Sequence, residues 1–562
     1  MPTHKRTARR IAGILATVSA AVSAFGQAPS TDTFVKKALA APSEGRINLL
    51  VQNSRSMTGA DAAKLAHLGG YVYRHLPIVK SNAINIPTKK LRKLLSLPFV
   101  SHVSEDVSVR KSDVYTVESS GASTAWQQYS TTGSGVGVAI IDSGIRPDND
   151  FGFLNDWDFT DLLNNRIVAN ANFSPDSFFA NDLCGHGTHV AGIVGGNGKS
   201  SSARNCFVTY YGIAPEANLI NVRVLDSQGS GTVSQVIAGI QWTVNHKKSY
   251  NIRVMNLSMG HTVGESYTTD PLCQAVEQAW KSGIVVVCSA GNDGRKNATQ
   301  TSGADNEGYG ANYGTIESPG NDPYVITVGA MKQGDVRNHD QIATYSSRGP
   351  SRLDFVVKPD IVAAGNRVVS VLARYSYLDR TYGDVNGVSW TEYMTSKRDG
   401  MSHDYFRLSG TSMAAPVVSG AVALMLQLQP KLSPDTVKAR LMASADKWLA
   451  TSGRGDMFTY GAGYLNIPAA LDSAIVATQY ATSPRAYRRS DGSVAIDMDR
   501  AMWGTGMSGN RAMWGDGAMS GTQPDTVSPN RAMWGDDVWT DPTVTTVNSA
   551  TIDLSSTAIK GD

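Results

Sequence analysis

The chain has 562 residues, more than one hydrophobic core of ordinary size organises, so several parts are expected. A formal net charge of +3 with no long basic stripe gives no reason to expect nucleic acid as a partner. Residues 1–26 carry Lys5, Arg6, Arg9 and Arg10, then the apolar stretch Ile11 to Phe25, then small residues compatible with cleavage after Ala24 or Gly26. That is the layout of a secretory signal peptide, too short for a membrane span, and no transmembrane segment is expected after it. Residues 45 to about 108 read as a strand over 46–51, a helix over 59–68, an extended stretch over 71–86, a helix over 88–95 and a strand over 100–107, a β-α-β-β-α-β pattern. The basic face of the second helix reads as solvated surface. Strands and helices then alternate: strand 217–224, helix 231–245, strand 254–259, helix 271–282, strand 323–330. Such alternation predicts a parallel sheet covered on both faces.

Four stretches carry candidate chemistry. Val138 to Ile141 is an apolar run, typical of a buried strand, that ends in the carboxylate Asp142 and a turn. Asp182-Leu183-Cys184-Gly185-His186-Gly187-Thr188-His189 puts two histidines at the mouth of a helix rich in small residues. Ile284 to Cys288 is a second buried run, ending in Ser289-Ala290-Gly291-Asn292; an Asn after Gly is otherwise a turn residue. Ser412 stands in Ser409-Gly410-Thr411-Ser412-Met413-Ala414-Ala415-Pro416, at the entrance of a helix apolar on every side and therefore buried. Pro416 is tolerated in a first helical turn, so the helix should begin at or just before Ser412, leaving unpaired N–H groups beside the hydroxyl. Such donors and the helix dipole can hold the negative oxygen formed when a carbonyl is attacked. Alone, Gly-Thr-Ser reads as a capping turn, because a serine hydroxyl needs a base to take its proton and a third group to orient that base.

In the order Asp, His, Ser, these stretches resemble the subtilisin-like (subtilase) serine proteases over roughly residues 120 to 474. The resemblance implies an α/β fold, a parallel sheet flanked by helices and preceded by a small α+β prodomain. It implies Asp142, His186 and Ser412 as the triad, His186 being the first histidine of its motif, and Asn292 as an oxyanion donor beside the backbone N–H of Ser412. By the same likeness Ser258-Met259-Gly260 and Ser289-Ala290-Gly291 wall the pocket for the residue before the cut bond. Gly229-Ser230-Gly231 would be the edge that pairs with the substrate backbone, where bare backbone groups suit strand addition. Large apolar residues are expected in that pocket, with Asp293 at its rim tolerating Lys or Arg. The implied protein is a secreted endopeptidase acting on protein or peptide substrates through an acyl-enzyme, and made as a self-processing precursor. Its parts are a signal peptide (1–26), an inhibitor-type prodomain (27–111) that blocks its own enzyme until cut between Val109 and Gly121, a catalytic domain (112–474) and a tail (475–562). No cofactor is required for the chemistry. Subtilases do commonly hold structural Ca²⁺ in surface loops, where Asp148, Asp150 and Asn197 offer oxygens, although the sequence assigns no metal ligands. Ser346 to Pro350 and Lys358 to Gly365 are also familiar from the family, with Ala364 where Pro is usual. Residues 370–407 exceed the length of simple members and read as a surface insertion.

Four cysteines stand in an exported chain; Cys184 and Cys206 flank one loop and could pair, while Cys288 reads as a buried thiol. Asp182, Cys184, His186 and His189 do not have zinc-site spacing, since Gly187 stands where a His-Glu-x-x-His motif needs its Glu. Gly198-Lys199-Ser200 is not a phosphate loop, because Ile193 replaces the required glycine. Arg500-Ala501-Met502-Trp503-Gly504 recurs at 511–515 and 531–535 with uneven spacing, against a regular solenoid. An extended tail docking its Trp and Met side chains is expected. The competing reading of the chain is a catalytically silent surface or binding protein of this fold that acts through the repeats.

Overall fold

The computed structural model describes residues 29–31, 33–40, 45–76, 80–105, 115–152, 165–296, 310–334, 337–395, 400–447, 456–488, 490, 494–497 and 551–552. It divides into two compact units, residues 1–111 and 112–562. The expected signal peptide, the three pentapeptide repeats and residues 109–114 of the expected maturation segment lie outside the described residues.

The first unit is one sheet with helices. Its elements are β1 (Ser30–Thr31), α1 (Thr33–Ala40), β2 (Arg46–Asn53), α2 (Gly59–His67), β3 (Tyr71–Leu76), β4 (Ser81–Pro87), α3 (Leu91–Leu95) and β5 (Val100–Glu105). The strand order is β1-β5-β2-β4-β3, with β2 antiparallel to both β4 and β5. The extended stretch read over 71–86, two strands in the β-α-β-β-α-β pattern, is a hairpin: Lys80, at φ 50°, precedes β4, which folds back on β3. α2 starts with a reciprocal cap between Thr58 and Asp61, and Leu65 faces a core with Leu49, Val51, Ile84 and Leu94. β1 and α1 had no signal in the sequence beyond the short apolar positions of 33–40.

The second unit is built on an eight-stranded sheet: β6 (Gly137–Asp142), β7 (Ile167–Asn172), β8 (Asn218–Arg223), β10 (Ile252–Leu257), β11 (Val285–Ser289), β12 (Ile326–Lys332), β13 (Gln341–Ile342) and β14 (Ile361–Ala364). The path runs β13-β12-β11-β10-β6-β8-β7 with β14 beside β12; every pairing is parallel except β12 with β13. Every residue of β6 and β11 is buried, which is why these strands read as unbroken apolar runs. The helices that bear on the site are α4 (Tyr115–Ser120), α5 (Ala122–Tyr129), α6 (His186–Gly195), α7 (Val233–His246) and α8 (Pro271–Lys281). The short edge strand β9 (Gly231–Thr232) leads into α7.

Residues 370–407 are not a loose insertion. β15 (Val368–Val371), α9 (Tyr377–Asn386), β16 (Gly387–Ser389), α10 (Trp390–Tyr393) and β17 (Met401–Leu408) form a three-stranded sheet. Val388, Tyr393 and Tyr405 close over Cys206, Val208 and Tyr210 as a second small core. The aromatic content that suggested a wet surface is there because these tyrosines pack edge-to-face on one another.

α11 (Thr411–Leu428) packs on β10, β11, β12 and α6. It has the length and hydropathy of a membrane span, yet 89% of it is buried inside the fold, as befits a core helix. Because α11 begins at Thr411, Pro416 falls in the second turn, not the first. The helical donor that Pro416 cannot give to the Ser412 carbonyl is replaced by the Ser258 hydroxyl, 2.8 Å away. α12 (Pro434–Ser444), α13 (Met457–Tyr460) and α14 (Ile467–Asp472) follow. The core continues past residue 474: Ala486, Val494 and Ile496 of the hairpin β18 (Arg485–Arg488) and β19 (Val494–Asp497) belong to it. The Ser483 hydroxyl joins a buried cluster of Asp360, Lys358 and Lys438. At the far end of the chain, β20 (Thr551–Ile552) pairs antiparallel with β9.

Candidate active site

Asp142 ends β6 and His186 opens α6, both fully buried, with His186 Nδ1 2.8 Å from Asp142 Oδ1. The same Asp142 oxygen accepts the Ser143 N–H at 2.7 Å. A carboxylate on Nδ1 fixes the ring and leaves Nε2 as the basic nitrogen. Among the described residues Nε2 has no hydrogen-bond partner. The start of α6 is held by Asp182, whose carboxylate accepts the N–H groups of Cys184, Gly185 and Thr188 and the hydroxyls of Thr188 and Ser143. Gly185 is in the left-handed region, at φ 107°, and a Cβ there would stand 2.5 Å from Ser376 Oγ. Asp182 is thus a positioning residue that spacing did not reveal. Burial pushes its carboxyl up, opposed by the hydrogen bonds from Gly185, Thr188 and Ser143.

His189 has a different task. Its Nε2 donates to the carbonyls of Val368 and Phe406, tying α6 to the β15–β17 pair, and burial, with the neighbouring His186, holds its pKa down to about 3. A neutral histidine bonded to two carbonyls is a fastener.

Ser412 is the second residue of α11, and its hydroxyl donates to Ser258 O at 3.0 Å. Asn292 lies beyond β11, and its carbonyl oxygen accepts the Thr411 N–H (2.9 Å) and hydroxyl (3.1 Å). With its oxygen committed, the Asn292 amide nitrogen is turned the other way. A Cβ built on Gly410 would be in ordinary contact with both ends of the Asn292 amide (Nδ2 3.5 Å, Oδ1 3.6 Å) and with the Ser412 nitrogen (3.6 Å), so the amide and the Ser412 N–H border one space beside Gly410. An amide side chain and a backbone N–H bordering one space beside a serine hydroxyl are the parts that an oxyanion pocket needs.

A sequence model of the subtilase family matches residues 133–463. The chain belongs to the subtilase family. It is therefore a subtilisin-like serine endopeptidase, and its relatives carry such names: serine protease AprX of Bacillus subtilis is 38% identical over 60% of this chain and 66% of its own length. Subtilisin E of the same organism is 32% identical over 75% of this chain and 89% of its own. The extracellular serine proteinase of a Thermus strain is 30% identical over 64% of this chain and 69% of its own.

In this subtilase Ser258, Met259 and Gly260 follow β10, while Ser289 is the last residue of β11 with Ala290 and Gly291 after it, so the two expected walls lie at the ends of adjacent parallel strands. Gly229 and Ser230 form a tight turn on Asp226, which accepts the Ser230 N–H, and Gly231 enters edge strand β9. That edge is taken by the chain's own Thr551–Ile552.

All four cysteines are free and buried, so Cys184 and Cys206 do not pair here. Cys184 lies in the main core and Cys206 in the small tyrosine core, and burial raises both thiols. The three oxygen donors named for calcium are committed to the protein: Asp150 accepts the Ser200 N–H and the Tyr405 hydroxyl, Asp148 accepts the Asp150 N–H, and Asn197 accepts the Lys199 N–H. Among the described residues no cluster of three or more His, Cys, Asp or Glu suits a metal ion. This donor set fits hydrogen bonding in place of a calcium cage.

Proposed function

We propose that Ser412 is the nucleophile, His186 its base and Asp142 the group that orients the base. On substrate entry the Ser412 hydroxyl leaves Ser258 O, where it now donates, and turns to the unpartnered Nε2 of His186. Nε2 takes the proton as Oγ attacks the carbonyl, and returns it to the leaving amine; water then releases the acyl group by the same steps. Asn292 Nδ2 and the Ser412 N–H receive the oxyanion. The observation that carries this reading is the buried His186–Asp142 pair at the start of α6, with the Asn292 amide and the Ser412 N–H bordering one space at the start of α11, the helix packed on α6.

The first unit acts as an inhibitory prodomain, and the protease cuts itself free and is secreted. Support comes from the basic and apolar order of residues 1–26, from the unit's separate core, and from a Thermus relative named as extracellular. A fluorophosphonate should label the purified protein on Ser412 and stop casein hydrolysis, and Ser412→Ala should accumulate uncut precursor. A labelled protein that cuts nothing would support instead a silent binding protein. Normal processing of Ser412→Ala, purified free of other proteases, would exclude self-maturation.

A further inference from the structure

The two cleft walls meet over an acid. A Cβ on Gly260 would lie 2.5 Å from Glu317 Oε2, and a Cβ on Gly291 would lie 2.8 Å from the Glu317 carboxyl carbon. The Glu317 side chain therefore stands between both walls, on the floor of the pocket for the residue before the cut bond. Its backbone is fixed there: the Glu317 N–H donates to Ala290 O of one wall, and Ser318 exchanges two backbone hydrogen bonds with His261, next to Gly260 of the other. Among the described residues no hydrogen bond or ion pair reaches the carboxylate itself. Burial, helped by the charge of Asp293, pushes its pKa up to about 8, the state of an acid waiting for a cation.

We propose that Glu317 is the specificity-determining residue of this pocket and selects Lys or Arg before the cut bond. A long cationic side chain can lay its methylenes between the Gly260 and Gly291 walls and set its charge against Glu317. An apolar side chain of that length would instead seal a carboxyl group away from water with nothing to pair it. Asp293, exposed just past Asn292, adds a weaker attraction at the rim. The expectation of apolar preference came from reading the walls alone. Glu317 is separated from Gly260 by 56 intervening positions, and only the fold brings it to the floor.

This inference rests on the catalytic reading above, and the test separates them. Fluorogenic tetrapeptides that differ only in the residue before the cut bond (Lys, Arg, Leu, Glu) are compared by kcat/KM on the mature protein. Lys and Arg should exceed Leu by about 10- to 100-fold, the effect of a desolvated charge pair. Glu317→Gln should lower the Lys-to-Leu ratio at least tenfold, Glu317→Lys should turn preference toward Glu, and Asp293→Asn should change the ratio only about two- to threefold. Because each ratio is taken within one protein, partial misfolding of a variant does not alter it. A wild-type enzyme that prefers Leu to Lys, or a ratio unmoved in Glu317→Gln, overturns the assignment of Glu317. A fluorophosphonate has no side chain to place in this pocket: failure to label the wild type would strike at Ser412, and normal labelling without Lys preference at Glu317 alone.

Discussion

In the proposed mechanism Gly410 and Asn292 border the space that receives the oxyanion. Asn292→Ala removes one of two donors that act on charge formed only in the transition state, so turnover should fall about 10²- to 10³-fold with KM nearly constant, the range known for the same kind of donor in subtilisin. Steady-state kinetics on one peptide decide it; unchanged turnover would remove Asn292 from the oxyanion site. Gly410→Ala should also lower turnover with every donor still present, because its methyl group would stand against the Asn292 amide and the Ser412 nitrogen, in the space proposed for the oxyanion. Retained activity in that variant would mean the oxyanion lies elsewhere. Asp142, His186, Ser412 and Asn292 could be singled out in the sequence because each stands at the start of, or just past the end of, an apolar run, and chain order made them resemble a set. Asp182 and Glu317 could not. One works through the N–H groups of a helix start and the other across two strand ends, and neither contact leaves a periodic trace.

Elements were legible where burial is symmetric. β6 and β11 are buried on both faces and read as apolar runs, and the fully buried α11 was readable for the same reason. The 370–407 segment was misjudged because its apolar surface is made by tyrosines, whose hydroxyls look wet in a sequence and here find partners inside. One such partner is Asp150: the Tyr405 hydroxyl donates to it at 2.8 Å, linking β17 to the loop after β6. Burial, then the nearby charge of Asp148, raises the Asp150 carboxyl to about 7. An acid raised from 3.8 to about 7 on folding binds its proton more tightly in the native state, so its stabilising effect is complete below about 4 and is lost as pH rises through 7. Asp150→Asn keeps the acceptor and removes that loss. It should therefore stabilise the enzyme at pH 8 to 9 by roughly 2–4 kcal/mol and do little at pH 4. Thermal unfolding of the active-site-inhibited protein at both pH values checks the sign, and an equal effect at both would mean that Asp150 does not titrate in this range.

For the whole molecule, what matters is where the folded enzyme ends. β18 and β19 place Ala486, Val494 and Ile496 in the main core, and the Ser483 hydroxyl serves Lys438 and Asp360 inside it. A truncation near residue 480 would open that cluster and leave buried charges short of partners, so it cannot report on the tail alone. A cut after residue 499 can. The segment 551–552 then disappears from β9, the edge expected to pair with the substrate backbone, while every residue of the triad stays. A tethered strand competes with substrate at an effective concentration set by its linker, but a two-residue pairing is weak. KM for peptides long enough to reach β9 should accordingly fall about two- to tenfold in the shortened enzyme, with kcat unchanged. Short esters that stop at the pocket give the control: they do not reach the edge, so their kinetics should not move. If long and short substrates respond alike, β20 does not compete for the cleft, and if the shortened enzyme also melts earlier, the tail is a docked part of the fold. Melting temperature and the two KM values, measured on one preparation, distinguish these outcomes.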